Sequence, residues 1–433
     1  MTTKILCIGD IHIGRIPGHI PQSLEQYALA PSVLGPVTAW QRSVDEAISQ
    51  RVDAVVLSGD LVDDDKAFYA ALGPLEFGLE RLGAENIPVY AVAGNHDGDV
   101  LPRLASHLGR LRILGPGGTW TAADLPGGVR IAGWSFTGTS VTSSPMPACA
   151  AALAALPAAA GPTIGLLHCD LGAVGGTYAP VAHAELADPA VSAWLLGHIH
   201  QPGRLGSQAR PVGYLGTLSP LDPTESGVRG PWMLTVDGGS LTMQHLPLAP
   251  LRWETFDLTV DDLDQLVDFE GFISEAVRAR TEALTPTFGD ARAVGYRINL
   301  TGATRHHRDL PKKCADAAGQ LVRKIGAVVC FVDKVSCTET RPVIDLAACS
   351  NGTDPPAVLA RMLLDIQQRT ETGNALIARA IPRLSAELRQ DRWVHMDPLT
   401  LDQDYAAAML LRAGFRALDE LLAQRENAGE VSL

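Results

Sequence analysis

The amino-acid sequence predicts a layered α/β domain over residues 1–255, then a smaller α+β region at 256–350 and a helical region at 351–433. Three observations predict it. Short apolar runs alternate with helical patterns in the first half, which indicates a layered α/β arrangement. After residue 200, strand-like runs follow one another across Gly-rich turns with no room for helices. From about 355 to 425, helical spacing is almost continuous.

The runs KILCIG (4–9), DAVVLSG (53–59), PVYAVAG (88–94), VRIAGW (129–134), TIGLLH (163–168) and AWLLGH (193–198) are dense in Val, Ile and Leu and read as buried strands. Between them, 38–49 and 66–83 have helical spacing, with Asp residues at 63 to 65 placed to cap the second. RPVGYLGTLSP (210–220), PWMLTVDGG (231–239) and SLTMQHLPL (240–248) read as strands, with a hairpin turn at Asp237-Gly238-Gly239. The Ala-rich stretch 148–162 reads as a surface helix plus linker. Beyond 255, a helix is expected over 260–280, strands at 292–302 and 327–335, and a helix at 311–325 between them, forming a small βαβ-type unit. The segment 399–424 places Leu, Met and Phe on one face of a helix, a stripe that suits burial in its own domain or docking of a partner.

A chain of 433 residues exceeds one ordinary domain, and nearly half of it is hydrophobic, enough for a sizeable core. Apolar runs fall short of the ~20 residues a membrane span needs, and the opening MTTKILCIGD runs straight into Asp and His, unlike a signal peptide. The seven cysteines are odd in number and never spaced as C-x-x-C. That pattern argues for reduced thiols in a cytoplasmic protein and against disulfides or a zinc finger. Cys7 and Cys330 lie in strand-like runs and read as small buried hydrophobes. A net charge of −13 counts against a nucleic-acid partner, although bound cations and a basic partner subunit would offset it.

Five polar clusters occur in order: GDIH (9–12), GD (59–60), GNHD (94–97), LLHCD (166–170) and GHIH (197–200), most of them ending predicted strands. Ligand sites in open α/β sheets form beyond the carboxyl ends of strands, so these residues are expected to converge in one cleft. Carboxylate and imidazole without thiolate suit divalent Mn, Fe or Zn. Two such ions ~3.5–4 Å apart require a bridging carboxylate and can clamp both oxygens of a phosphoryl displacement. The candidate metal ligands are Asp10, His12, Asp60, Asn95, His168, His198 and His200. His19, His107, His183, His245, His306, His307 and His395 fall outside the pattern and read as surface or structural residues.

With these motifs the chain resembles the calcineurin-like metallophosphoesterase superfamily, and within it the nuclease subunit of SbcCD-type DNA double-strand-break repair complexes. The metal motifs carry the first resemblance, over roughly residues 3–250. YAPVAHAEL (178–186), SAWLLGHIHQP (192–202) and YLGTLSPLDPTESGVRGPWML (214–234) carry the second, with a C-terminal half large enough for a capping domain and partner-binding helices. The resemblance implies an α/β/β/α sandwich followed by a capping, DNA-contacting domain at 256–350. It implies one ion on Asp10, His12 and His200, a second on Asn95, His168 and His198, and Asp60 bridging, with Mn²⁺ the expected metal. His96 would protonate the departing oxygen and Asp97 would orient that imidazole, while Arg15 and Asp63 would lie near the substrate or serve as surface and capping charges. The expected activity is a DNA exo/endonuclease of repair and recombination, working with DNA and an SMC-like coiled-coil ATPase and dimeric as is usual in that branch. The competing expectations are a phosphodiesterase or phosphatase for small nucleotides and a non-enzymatic subunit that keeps the fold.

Overall fold

The computed structural model describes residues 2–173, 175–261, 263, 268–388 and 401–430. Among them run β1 (Thr3–Ile8), α1 (Pro36–Ser49), β2 (Ala54–Leu57), α2 (Phe68–Ala84), β3 (Val89–Ala91), α3 (Val100–Leu108), β4 (Leu111–Ile113), β5 (Thr121–Asp124), β6 (Arg130–Trp134), α4 (Cys149–Ala154), β7 (Thr163–His168), β8 (Asp170–Leu171), β9 (Pro180–Val181) and β10 (Ala193–Gly197). There follow β11 (Val212–Tyr214), β12 (Trp232–Asp237), β13 (Ser240–His245), β14 (Leu251–Thr259), α5 (Phe269–Leu284), β15 (Ala293–Thr304), α6 (Leu310–Ala317), β16 (Val322–Ile325) and β17 (Val328–Pro342). The helices α7 (Leu346–Cys349), α8 (Pro355–Gln367), α9 (Glu371–Leu388) and α10 (Gln403–Glu430) complete the order.

Two sheets organise the first 255 residues. One has the order β13-β12-β1-β2-β3-β4, parallel from β1 to β4; the other has the order β11-β10-β7-β6-β5, parallel from β6 through β7 and β10 to β11. Period-two alternation explains why they stack. Ile5, Cys7 and Val56 of the first sheet meet Ile131, Ile164, Leu166 and Leu195 of the second in one core. Leu6, Ile8, Val55 and Leu57 face the other way and bury Trp40, Val44, Leu75 and Leu79 of α1 and α2. On the outer face of the second sheet, Trp194 and Leu196 pack with Trp120, Trp134 and Cys149. Both faces of each sheet are therefore covered, so the strands read as continuous apolar runs. The layers are α/β/β/α.

The helix cap is narrower than the run of three acids suggested. Asp64 alone takes the cap, its Oδ1 accepting from the N–H groups of Lys66 and Ala67 ahead of α2. The hairpin closes as expected, with Asp237 opposite Ser240 and Gly238 and Gly239 at φ 55° and 88°.

The chain divides into two compact units, and the division does not follow the expected boundary at 350. One comprises 1–255, 277–297 and 319–333; the other comprises 256–276, 298–318 and 334–433. The segment 256–350 thus contributes to both, because its long strands β15 and β17 run from one unit into the other. In the first unit, Trp253, Ala293, Val329 and Phe331 join Leu24, Leu29 and Leu34 in a single core. Cys330 is buried there beside Thr281, and burial pushes its thiol up to about 11; Cys7 is buried likewise. The helix expected over 311–325 is the shorter α6, and Val322–Ile325 instead form β16, antiparallel to β17. Gly319 at φ 74° ends the helical stretch.

In the second unit, Leu363, Phe415 and Leu418 share one core, and Ile366, Ile377, Ala406 and Ala407 another. Part of the apolar stripe expected on 399–424, at Ala406, Ala407, Phe415 and Leu418, is therefore buried within its own unit. Residues 262 and 264–267 of the expected 260–280 helix lie outside the described residues, as do 399, 400 and His395. Among the described residues, no helix is long and apolar enough to cross a membrane.

The inter-sheet core is expected to dominate stability. Leu195 is fully buried in it, so Leu195→Ala should destabilise by about 2–5 kcal/mol, read as an earlier midpoint in urea unfolding. A loss below about 1 kcal/mol would show that the two sheets are not packed as described.

Candidate metal centre

The loops that leave β1, β2, β3, β7 and β10 at their carboxyl ends bring the five polar clusters together. Main-chain bonds set the first two loops: Ile11 and His12 N–H both donate to the Asp60 carbonyl (3.0 and 2.9 Å), and Ile13 N–H donates to that of Leu61 (2.9 Å). This requires sharp turns, and His12, Asp60 and His198 sit at φ 55°, 48° and 105°. Such conformations cost on the order of 1–3 kcal/mol each and persist where the surroundings over-determine them. Two glycines make the approach possible. A Cβ on Gly94 would lie 2.1 Å from Asp60 Oδ1, and one on Gly59, at φ 101°, would lie 2.6 Å from His168 Nδ1.

All seven candidate ligands converge. His12 Nε2 is 3.2 Å from His200 Nε2 and 3.9 Å from Asp60 Oδ2. On the other side of Asp60, His168 Nε2 is 3.4 Å from Oδ2 and 2.9 Å from Asn95 Oδ1, which lies 3.2 Å from His198 Nδ1. Asp10 Oδ1 accepts the N–H of His198 at 3.0 Å and lies 3.6 Å from His168 Nδ1. One carboxylate oxygen of Asp60 thus faces both donor groups, the placement expected of a bridge.

The donor chemistry fits divalent cations. His12 Nδ1 donates to Asp63 (3.0 Å), His168 Nδ1 to the Ser58 carbonyl (3.1 Å) and His200 Nδ1 to Glu225 (2.7 Å). Each bond places the ring proton on Nδ1 and leaves Nε2 as a lone pair directed into the site. In that form two lone pairs face each other at 3.2 Å between His12 and His200, a repulsion relieved by a metal cation lying against both or by a proton on His200 Nε2. Donors about 2.1 Å from a shared ion are separated by roughly this distance. Asp10 Oδ2 is buried without a hydrogen-bond partner, and a ligated ion would supply one.

Electrostatics agree. Burial first, and the Asp60 carboxylate second, push the Asp10 carboxyl up. Burial acts on Asp60 in the same sense, but the His168 and His12 imidazoles outweigh it and hold that carboxyl below its ordinary value. Burial lowers His12 and His168 and brings His198 down to about 4, so these rings stay neutral and available as ligands. Burial also opposes charge on His200, yet the bond and charge of Glu225 prevail and raise it.

Two expectations need correction. Asp97 does not orient His96: its Oδ1 accepts from Gly94 N–H (2.7 Å) and its Oδ2 from the N–H of Leu61 and Val62 (2.7 and 3.4 Å). It is a buried tie between the loops after β2 and β3, saturated by main-chain donors. His96 Nδ1 instead meets the Asp63 carbonyl at 2.7 Å, and its N–H donates to Asp60 Oδ1 at 3.0 Å. Asp63 is neither a helix cap nor a free charge, since it holds His12, with Arg15 3.7 Å away. Motif reading gave Glu225 no role, because it lies in a loop with no cluster around it. The fragment quoted from 214 to 234 contained it, but nothing in the sequence joins it to His200.

Residues 3–202 match the calcineurin-like phosphoesterase family, and the chain carries a calcineurin-like metallophosphoesterase domain. This is a hydrolase class acting on phosphoesters, and its members use divalent metals. An uncharacterized metallophosphoesterase, YhaO of Bacillus subtilis, is 28% identical over 231 residues, 49% of this chain and 52% of that protein. The DNA double-strand break repair protein Mre11 of Haloferax volcanii is 32% identical over 117 residues, 25% of this chain and 24% of its own length. The chain therefore spans about half of the first relative and about a quarter of the second. Among solved structures, TT1561 of Thermus thermophilus aligns with TM-score 0.35 and 16% identity, covering 57% of this chain and 99% of that one. A dimetal phosphatase from Danio rerio aligns with TM-score 0.35 and 15% identity, covering 56% and 95%.

If Asp60 is shared by two ions, Asp60→Ala should lower the metal content of both positions together, measured by elemental analysis after dialysis against Mn²⁺. Retention of the wild-type content would rule the bridge out.

Proposed function

We propose that the chain is a metal-dependent DNA nuclease of repair, cutting phosphodiester bonds by a two-metal mechanism with Mn²⁺ as its working metal. The observation that carries the phosphodiester chemistry is the pair of donor groups flanking Asp60, with lone pairs 3.2 Å apart on one side and an unpartnered buried carboxylate oxygen at Asp10. The similarity to Mre11 proteins supports DNA as substrate, as does a second unit far larger than a small ester would require.

Bound divalent ions would be held by Asp10, His12 and His200 on one side and by Asn95, His168 and His198 on the other, and would supply Lewis-acid activation and charge neutralisation. The chain's own groups do the rest. His96 is exposed, with its Nδ1 anchored on the Asp63 carbonyl, so the doubly protonated ring would present an Nε2–H to the scissile phosphate, pass that proton to the departing oxygen and be left as the neutral Nδ1–H imidazole. The Asp60–His96 main-chain bond fixes that imidazole relative to the bridge. Asp97 rigidifies both loops without touching substrate. The net charge of −13 is met in this reading by the two ions and by a partner subunit, an SMC-like ATPase.

The same charge favours a second reading, a phosphodiesterase for small nucleotides, in which no long polyanion has to approach. Incubation with Mn²⁺ and labelled duplex or single-stranded DNA separates them. The nuclease reading expects degradation that EDTA abolishes and that His96→Ala slows by ~10²-fold or more with metal content near normal. Cleavage of a small phosphodiester with DNA untouched would reverse the assignment of substrate. Loss of metals from the His96→Ala protein would show that His96 is a ligand and not the proton donor.

A further inference from the structure

The three imidazoles that present Nε2 to the site are held in three different ways. His168 leans on a main-chain carbonyl, that of Ser58, which no side-chain replacement removes. His12 uses the half-buried Asp63, whose charge is shared with Arg15. His200 uses Glu225, which comes from a loop that belongs to no strand or helix. Glu225 is itself tightly fixed. Its Oε2 accepts from the Thr217 hydroxyl at 3.0 Å and from Leu221 N–H at 3.1 Å, which turns Oε1 onto His200 Nδ1 at 2.7 Å. The same loop grips the backbone on the His12 side of the site, since Thr217 N–H donates to the His200 carbonyl (3.0 Å) and Leu218 N–H to that of Asp10 (2.9 Å).

We propose that Glu225 is the positioning residue for one of the two metal positions, the one formed by Asp10, His12 and His200, because among the described residues it is the acceptor that keeps the His200 proton on Nδ1. A carboxylate is a pure acceptor here, so the ring must present N–H to it and a lone pair to the site. Without that acceptor, His200 adopts the Nε2–H tautomer that free histidine prefers, and the proton occupies the position the cation needs. The Asn95, His168 and His198 position has no contact with Glu225 among the hydrogen bonds of the described residues, so the effect is confined to one ion. The proposal rests on the metal-centre reading and extends it to a residue outside the ligand set.

The test uses the whole chain of 433 residues. In the metal-free state, ¹⁵N spectra of labelled histidines should show His200 as the Nδ1–H tautomer in the wild type and as Nε2–H in Glu225→Ala and Glu225→Leu. His168, still held by the Ser58 carbonyl, should stay Nδ1–H in all of them and so reports an intact fold. Calorimetric titration with Mn²⁺ should then show one of two sites weakened by roughly 10–100-fold and the other within about twofold of wild type. Thr217→Val removes one of the two bonds that orient the same carboxylate while Leu221 N–H still holds it, so it should weaken the Asp10, His12 and His200 site less than Glu225→Ala does and leave the other site unchanged. An unchanged His200 tautomer in the Glu225 variants, or equal weakening of both sites with His168 intact, would overturn the proposal. A wild-type protein that takes up no Mn²⁺ while the tautomer still switches would overturn the metal reading and leave the tautomer control standing.

Discussion

Asp10 and Asp60 stand buried at neighbouring strand ends with no lysine or arginine against either among the described residues, and their mutual repulsion is part of what pushes Asp10 up. Burying one unpaired carboxylate is already unfavourable, and two within reach of the same imidazoles are worse. In the proposed reading a pair of divalent cations would resolve this, and the surroundings suit it. The histidines that meet the pair are kept neutral by burial or turned lone-pair inward by an acceptor behind them. The negative charge that would be a defect in an ordinary core is what would let the site hold metal.

The fold supplies this arrangement through its strand ends. Parallel β1, β2 and β3 on one sheet, and β7 and β10 on the other, deliver their carboxyl-terminal loops to a common place because both sheets are packed through a shared inner core. What the strands cannot do is turn the chain tightly enough, and that is left to residues in left-handed conformation. His12, Asp60 and His198 accept such backbone geometry although none is glycine. Asp97 offsets the strain by gathering three main-chain N–H groups from two loops onto one buried carboxylate.

Much of this was legible beforehand. The six apolar runs of the first half are strands because both faces of each sheet are covered, which writes Val, Ile and Leu at successive positions and leaves no ambiguity with an amphipathic helix. The convergence of the seven candidate ligands was legible for a related reason, each cluster being a polar break at the end of an apolar run. Glu225 was not, because a residue that acts through another has no local pattern and is placed only by tertiary contacts. Asp97 was recognised but misread: the family resemblance implied that it orients His96, whereas its oxygens are taken by the N–H groups of Gly94, Leu61 and Val62. The 311–325 segment failed because VRKI has too few apolar residues to separate a strand from the end of a helix. The division into units was hidden because β15 and β17 run through both and carry no composition break.

The central claim is that two cations sit on either side of Asp60. Diffraction from crystals soaked in Mn²⁺, with an anomalous difference map at the manganese edge, measures this directly. The account predicts two peaks ~3.5–4 Å apart, one against Asp10, His12 and His200 and the other against Asn95, His168 and His198, with Asp60 between them. A single peak, or peaks away from Asp60 with the Asp10 oxygen still unpartnered, would contradict it.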